Sequence, residues 1–478
     1  MTPRSTVAPH ELDLSGRRVV LAICCMSLFI VGLDVSALNV ALPDIGRDLR
    51  APFSHLQWTI DAYALTLAGL LMLSGSIADR VGRRRVFRIG LVVFGVGSLL
   101  CAVAPTSELL IGARVLQAIG GSMLNPVAMS IITNTFHDAK ERAAAIGVWG
   151  AIVGLSMALG PVIGGVLVAG FGWRAIFLIN VPVVLAALVL MTLYVPESRA
   201  ETPRRLDPVG QALVVVMLVS LTFGIIEGRE IGWGTAVVIG CFVLSAVALL
   251  LFVAFERRTA EPLISPVFFS SIPFSSAVAS AVIGFASMAG FLLLNTLYLQ
   301  DVRGYSALHA GLLSLPMAVT TAVLSPVSGR LVGSSGPRLP MVLAGLGIAT
   351  SGAILSQVQP DTSLAVLIAA YVAFGVGFGF LNAPITNAAV SGMPRAQAGT
   401  AAAVASTSRQ IGSALGVAVL GAITYARLDG SIMDGFAQAT HAAWVIMAAF
   451  GLALVVLGLV ATSARAARSV ERVRSRLD

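Results

Sequence analysis

Lysine is almost missing from this chain of 478 residues: Lys140 is the only one. A Walker A loop needs a lysine in a glycine-rich turn to hold phosphates, so ATP hydrolysis by that route is excluded. A retinal Schiff base needs a buried lysine, and Lys140 lies in a polar stretch. Charge of either sign is also scarce, at 11% of residues, where a soluble protein carries about 25%. There are four cysteines, Cys24, Cys25, Cys101 and Cys241, all inside apolar runs. They read as small hydrophobes, with no disulfide framework. The histidines (His10, His55, His137, His309, His441) have no metal-ligand spacing, so no metal site is expected. No short h-region with a cleavage pattern opens the chain, so the first apolar run is expected to stay as a helix.

What is present is apolar sequence: 57% hydrophobic residues and a mean hydropathy of +0.91. It comes in runs near the ~20-residue length that spans a bilayer core. A β-barrel would need short alternating strands instead. The runs predict fourteen helices over 18–42, 56–77, 86–104, 107–134, 143–170, 175–195, 207–227, 232–254, 273–300, 307–332, 338–358, 363–389, 397–425 and 438–462.

The net charge of +8 is a topology signal and not a nucleic-acid face, because the basic residues sit in short loops between apolar runs. With the N-terminus inside, the inner segments hold Arg17, Arg18, Arg80, Arg83, Arg84, Arg85, Arg88, Lys140, Arg199, Arg257, Arg258, Arg330, Arg338, Arg395 and a tail from Arg465 onward. The outer segments hold only Arg47, Arg50, Arg174, Arg229, Arg303 and Arg427. That bias fits an even number of spans with both termini cytoplasmic.

An internal repeat divides the chain. Gly75-Ser-Ile-Ala-Asp79-Arg80-Val-Gly82-Arg83 joins helices 2 and 3, and Gly329-Arg330-Leu-Val-Gly333-Ser-Ser-Gly336-Pro337-Arg338 joins helices 10 and 11. Helices 1–6 then match 9–14, a parallel repeat known among transporters. Residues 1–198 form an N-terminal six-helix bundle, 199–260 hold two inserted helices, and 261–478 form a C-terminal bundle with a basic tail. In the second copy Gly333 stands where Asp79 should be.

Of the ionisable residues inside spans, Asp34, Asp61 and Arg114 stand out, with Arg409 in the second half. A charge at the bilayer centre costs at least ~2.5–3.5 kcal/mol on insertion scales, so each needs a partner or a wet cavity. At 1.5 Å per residue the first three lie ~12, ~8 and ~10 Å from the outer helix ends, within reach of one cavity. An Asp held by Arg and then released is a proton-coupling device. The other reading is a fixed pair tying helices 1 and 4, with Asp61 at the interface beside Trp58. Arg114, Gln117, Gly121 and Asn125 stack along helix 4, either as a cavity wall or as interhelical hydrogen bonds.

These motifs resemble the fourteen-helix drug/proton antiporter branch of the major facilitator superfamily. Asp34 through Asn39 to Pro43 is similar to that branch's first-helix motif, and Gly75 through Asp79 to Arg85 resembles the helix 2–3 signature. Arg114-Val-Leu-Gln117-Ala-Ile-Gly120-Gly121 resembles the helix-4 motif. Gly154-Leu-Ser-Met-Ala-Leu-Gly160-Pro161-Val-Ile-Gly164-Gly165 resembles the helix-5 motif of exporters, and Gly172-Trp173-Arg174 through Asn180-Val-Pro182 is also similar.

The resemblance implies an all-α integral membrane protein with the major facilitator fold: two six-helix bundles plus two inserted helices. It implies a proton-coupled antiporter, not an enzyme, exporting amphipathic or cationic small molecules, as in multidrug or antibiotic efflux. It needs no cofactor beyond the proton motive force, and it sits as a monomer in a bacterial inner membrane. Proton coupling falls to Asp34, Asp61 and Arg114, and a cytoplasmic gate to Gly75, Asp79, Arg80, Gly82 and Arg83. The glycines and Pro161 of helix 5 form an outer closure, with static packing as the alternative. The substrate cavity is expected at Gln117, Asn125, Phe291, Asn295, Tyr298, Phe378, Asn382 and Arg409, although aromatic residues at helical spacing also serve as packing. No carboxylate partner for Arg409 can be named in the second half. Competing readings are a dedicated exporter of a metabolite or lipid, or a proton-coupled uptake symporter. A membrane enzyme would need a catalytic constellation that the sequence lacks, and a channel would need a rotationally repeated pore.

Overall fold

Prolines decide where several of the long apolar runs are cut. Pro126, Pro182 and Pro316 each lack the N–H that a continuing helix requires. Just ahead of each, the helix stops and restarts: α4 (Ser107–Ser122) before α5 (Asn125–Thr135), α7 (Ala175–Leu178) before α8 (Asn180–Tyr194), and α12 (Ala307–Leu313) before α13 (Leu315–Ser335). At the first break the Met123 and Leu124 amides turn back to Gly120 O and Gly121 O at 3.1 Å. The expected helix 4 is therefore a broken one, and Asn125 starts its second piece instead of continuing the Arg114–Gln117–Gly121 stripe.

The computed structural model describes residues 14–136, 138–199, 207–259, 266–390, 393, 398–428 and 432–477. His10, His137, Arg395, residues 200–206 at the start of the expected 199–260 segment and the 260–261 boundary lie outside the described residues. The described chain is helical and groups into two compact units, Met1–Gln211 and Ala212–Asp478.

Unit 1 holds α1 (Leu14–Asp48), α2 (Phe53–Val81), α3 (Arg83–Val103), α4, α5, α6 (Ala139–Phe171), α7 and α8. α3 shows how such a helix is built. Gly90, Leu91, Phe94, Gly97, Ser98 and Cys101 are buried on one side. Ile89, Val92, Val96, Leu99 and Val103 form an exposed apolar stripe on the other, the pattern of a helix bathed in lipid.

α9 (Pro208–Ile231) crosses the division between the units, and unit 2 continues with α10 (Ala236–Glu256), α11 (Ile272–Leu297), α12, α13, α14 (Arg338–Leu355), α15 (Leu364–Val390), α16 (Ala398–Ala426), α17 (Ile432–Ala439), α18 (His441–Ala461) and α19 (Ala464–Leu477). α11 ends in a π-turn, Tyr298–Val302. α10 is mostly exposed; its buried residues are Val238, Ser245, Ala248 and Glu256. The basic tail is itself a helix, α19. Its Ala466, Ser469 and Val473 are buried, and Ser469 Oγ accepts the Ile272 N–H at 3.0 Å.

Among the described residues, 12 helical segments are long and apolar enough to cross a membrane, against the fourteen expected. α6 and α16 fall outside that set. α6 contributes Leu159–Phe171 as a shorter apolar stretch. α16 has 29 residues, and Arg409 and Gln410 dilute its apolar character.

Close helix pairs depend on glycine in both units. A Cβ on Gly160 of α6 would lie 1.8 Å from Ser36 Oγ of α1, and one on Gly416 of α16 would lie 2.2 Å from Ala286 O of α11. Pro161 sits inside α6 without ending it.

Candidate functional site

The break between α7 and α8 puts Asn180 at the first turn of α8, buried and turned toward α1. There it meets Asp34 from the middle of α1, and Arg114 and Gln117 one turn apart on α4. Asp34 Oδ2 accepts Arg114 Nη1 at 2.5 Å. Asp34 Oδ1 accepts Gln117 Nε2 at 2.8 Å and Asn180 Nδ2 at 3.0 Å. Arg114 also donates to Gln117 Oε1 at 2.5 Å and, through Nε, to the Thr59 carbonyl at 3.2 Å. Ser98 Oγ on α3 accepts from both Gln117 and Asn180. The guanidinium lies over the Tyr63 ring, 4.1 Å from its centroid. The side chains of Asp34 and Arg114 are 0% and 1% exposed, so the pair is sealed within five helices. Both Asp34 oxygens accept hydrogen bonds, Oδ2 one and Oδ1 two.

Gln117 thus belongs to this network; no open cavity surrounds it. Asn180, which the sequence showed only as part of a motif, is a direct partner of Asp34. Asp61 is on α2, fully buried, and among the described residues neither of its carboxylate oxygens has a hydrogen-bond partner. An interfacial, water-facing Asp61 is therefore not what the fold provides: the carboxyl points inward. Asn125 Oδ1 is likewise enclosed without a partner.

A second cluster marks the far end of α2. Gly82, at φ 128°, makes the turn into α3, a backbone region that favours glycine. Asp79 Oδ1 accepts Arg83 Nε and Nη2 at 3.0 and 2.9 Å. The α3 N-terminus is capped by Glu197, whose two oxygens accept the Arg84 and Arg85 amides at 3.0 and 3.2 Å, and Arg84 Nη1 donates to Val195 O at 3.0 Å. Gly75 packs beside Pro126. Asp79 thus pairs with Arg83 one turn on, and the cap on the α3 dipole comes from Glu197. At the opposite end of unit 1, Asp48 Oδ2 accepts Trp173 Nε1 at 2.9 Å and Arg174 Nη1 at 2.6 Å. Gly164 packs against Ala37 of α1 and Gly165 is buried, while Gly154 lies in α6 outside the described side chains.

In unit 2 the expected cavity residues separate. Phe291 stacks on Phe374 at 4.3 Å and meets Tyr371 and Trp444 edge-on. Asn295 accepts the Tyr371 hydroxyl, and Tyr298 donates to Gln359 O at 2.6 Å. These three are packing anchors between α11, α15 and α18, and no open wall surrounds them. Phe378, Asn382 and Arg409 do come together, with Phe285 and Thr386. His55, His309 and His441 contact Ser107, Tyr305 and Val358 O respectively.

Comparison with known proteins follows the same lines. Residues 24–417 match the sequence pattern of the Major Facilitator Superfamily. Multidrug resistance protein Stp of Mycobacterium tuberculosis is 37% identical over 407 residues, 85% of this chain and 76% of Stp. Multidrug efflux pump LfrA of Mycolicibacterium smegmatis is 34% identical over 422 residues, covering 88% and 82%. The methylenomycin A resistance protein of Streptomyces coelicolor is 31% identical over 459 residues, 94% of each chain. In fold, the chain is similar to a bacterial homologue of the human lysosomal transporter Spinster, with a TM-score of 0.67, 20% identity and coverage of 97% and 99%. A buried charge network built on its motifs, many apolar spans and these relatives converge: the chain is a multi-pass membrane protein that belongs to the major facilitator superfamily.

Proposed function

We propose that this chain exports amphipathic small molecules, drugs or antibiotics, across a bacterial inner membrane in exchange for protons, by alternating access. The observation that carries the coupling is the sealed Asp34–Arg114–Gln117–Asn180 network, together with the buried Asp61 on α2, whose carboxyl has no partner among the described residues. In this reading Asp34 is held by its donors in one state and takes a proton when rearrangement of α1 against α4 and α8 removes one. Asp61 is a second proton carrier, since a buried carboxyl with no partner is tolerated far better neutral than charged. Efflux as the direction is supported by relatives named as multidrug pumps and by the α6 glycines that bring α6 against α1 at Ser36. α6 and α16 complete fourteen spans, and α9 with α10 form the inserted pair, consistent with the exposure of α10. The basic ends, including α19, are cytoplasmic, the Asp79 turn is the inner gate, and the protein works as a monomer.

A narrower reading, export of one dedicated compound, is favoured by relatives named for single antibiotics, methylenomycin A and tetracenomycin C. The test is substrate-induced proton release from inside-out vesicles across a drug panel, wild type against Asp34→Asn. Normal proton-coupled efflux by the variant would sink the coupling assignment. A wild-type response to a single compound would select the narrower reading.

A further inference from the structure

The long helices of the unit 2 bundle hold a charge without a counter-charge. α11, α13, α14, α15, α16 and α18 contain no Asp or Glu. Arg409 nevertheless sits well inside α16. Its Nη2 donates to Thr386 Oγ1 at 2.6 Å, its Nε is enclosed with no partner, and its Cζ lies 5.8 Å from the Phe285 ring centroid. Among the described residues no carboxylate pairs with it. The contrast with Arg114 is direct, since that guanidinium is met by a carboxylate, an amide oxygen and a carbonyl. An intramembrane arginine left short of partners is a functional-site hypothesis by default.

The surroundings say what would complete it. Phe378, Asn382 and Thr386 lie at successive turns of α15, and Phe285 meets Phe378 edge-on at 5.3 Å. Phe378 is buried behind, Phe285, Asn382 and Arg409 are half-buried, and Thr386 is exposed, so the cluster is closed at the back and open at the front. The Thr386 hydroxyl is spent, since it accepts from Arg409 and donates to Asn382 O at 3.0 Å, but a guanidinium with spare N–H groups beside the Asn382 amide matches a planar oxyanion. The two rings supply an apolar wall for the body behind that anion. We propose that Arg409 binds the acidic group of the substrate, a carboxylate, phenolate or enolate, and that the exported class therefore includes monoanionic amphiphiles. The proposal rests on the export reading above and narrows it. An anion leaving and a proton entering move charge in the same sense, so export of the acid draws on membrane potential more than export of a neutral or cationic analogue.

The test uses the full-length chain and three matched probes: pyrenebutyrate, its methyl ester and a pyrenebutyl trimethylammonium salt. Binding is read as thermal stabilisation of the solubilised protein, and transport of the two ions is read in proteoliposomes. The wild type is expected to bind the acid about tenfold or more tightly than the ester, the range for one charge-assisted hydrogen-bonded contact. Arg409→Gln should bring the acid down to the ester's affinity and leave the ester and the ammonium salt within about twofold, and Arg409→Lys should keep part of the preference. Transport of the acid should accelerate under the potential that drives anions outward. The proposal is overturned if the wild type binds acid and ester alike, a comparison that needs no variant to fold. It is also overturned if Arg409→Gln weakens all three probes equally, which is the signature of a packing tie to Thr386. Transport of the ammonium salt with proton release but indifference to the acid would leave export standing and Arg409 unassigned. Arg409-dependent acid binding with no transport of any probe would do the reverse.

Discussion

The two units solve the same packing problem with opposite use of charge. Unit 1 buries a carboxylate and a guanidinium together and surrounds them with an amide pair, a carbonyl and an aromatic face. Its α2–α3 turn is stapled by Asp79–Arg83 and by the Glu197 cap. Unit 2 has the related glycine turn ahead of α14, with Gly336 at φ 82°. A Cβ on Gly329, Gly333 or Gly336 would meet nothing within 4 Å, and no side-chain pair closes that turn among the described residues. The long helices of its bundle are uncharged apart from Arg409 and the basic residues nearer their ends. In the export reading proposed above, that difference is a division of labour: the Asp34–Arg114 network of unit 1 suits proton handling, and the aromatic walls and partner-poor Arg409 of unit 2 suit ligand.

Six variants would sharpen or break that contrast. The largest effect is expected from Arg114→Ala, which leaves Asp34 buried without its counter-charge and should cost ~3–5 kcal/mol. It would show as loss of folded protein on size-exclusion chromatography. Asp34→Asn combined with Arg114→Gln should recover much of the folding but none of the proton-coupled efflux. If the single variant folds and pumps normally, the network is not central to unit 1. Next come the glycine contacts. Gly416→Leu must push α16 off the α11 backbone and should cost ~1–3 kcal/mol by overpacking, read as a lower unfolding temperature. Gly160→Leu should cost a similar amount against α1, and it should depress efflux more, because Ser36 lies two residues from Asp34. Glu197→Ala removes the cap from α3 and should cost ~0.5–2 kcal/mol. Arg338→Ala, at the uncapped counterpart in unit 2, should stay within about ±0.5 kcal/mol. Equal losses at those two positions would erase the distinction between the turns.

Much of this was legible because the bilayer penalises charge. Asp34 and Arg114 stand out as ionisable residues in apolar runs, and their pairing follows from depth along the helix alone. Asp79 with Arg83 follows from i,i+4 spacing. Asn180 was harder to place. A lone polar residue before Val181-Pro182 carries no periodic signal, and its reach to Asp34 depends on the proline-directed break that starts α8. Glu197 was hidden for a different reason, since a carboxylate in a charged linker looks solvated until the chain folds it over the α3 amides. Phe291, Asn295 and Tyr298 were misread because helical periodicity marks a face without saying what covers it, and α15 and α18 cover theirs. The expected fourteen spans differ from the twelve found at α16, where Arg409 and Gln410 dilute a helix that is long enough by length alone, and at α6, of which Leu159–Phe171 is the apolar stretch among the described residues.

The seal between α19 and α11 has a consequence for biosynthesis. The Ile272 amide at the start of α11 is satisfied by Ser469, which follows it by 197 residues. Unit 1 closes the start of α3 within itself, by Ser198, whose carbonyl accepts the Arg83 amide. At the usual ~5–20 residues per second, the ribosome needs ~10–40 s to get from Ile272 to Ser469. The first half can thus be complete while the second is still being threaded into the bilayer, and the start of α11 cannot close until Ser469 has been made.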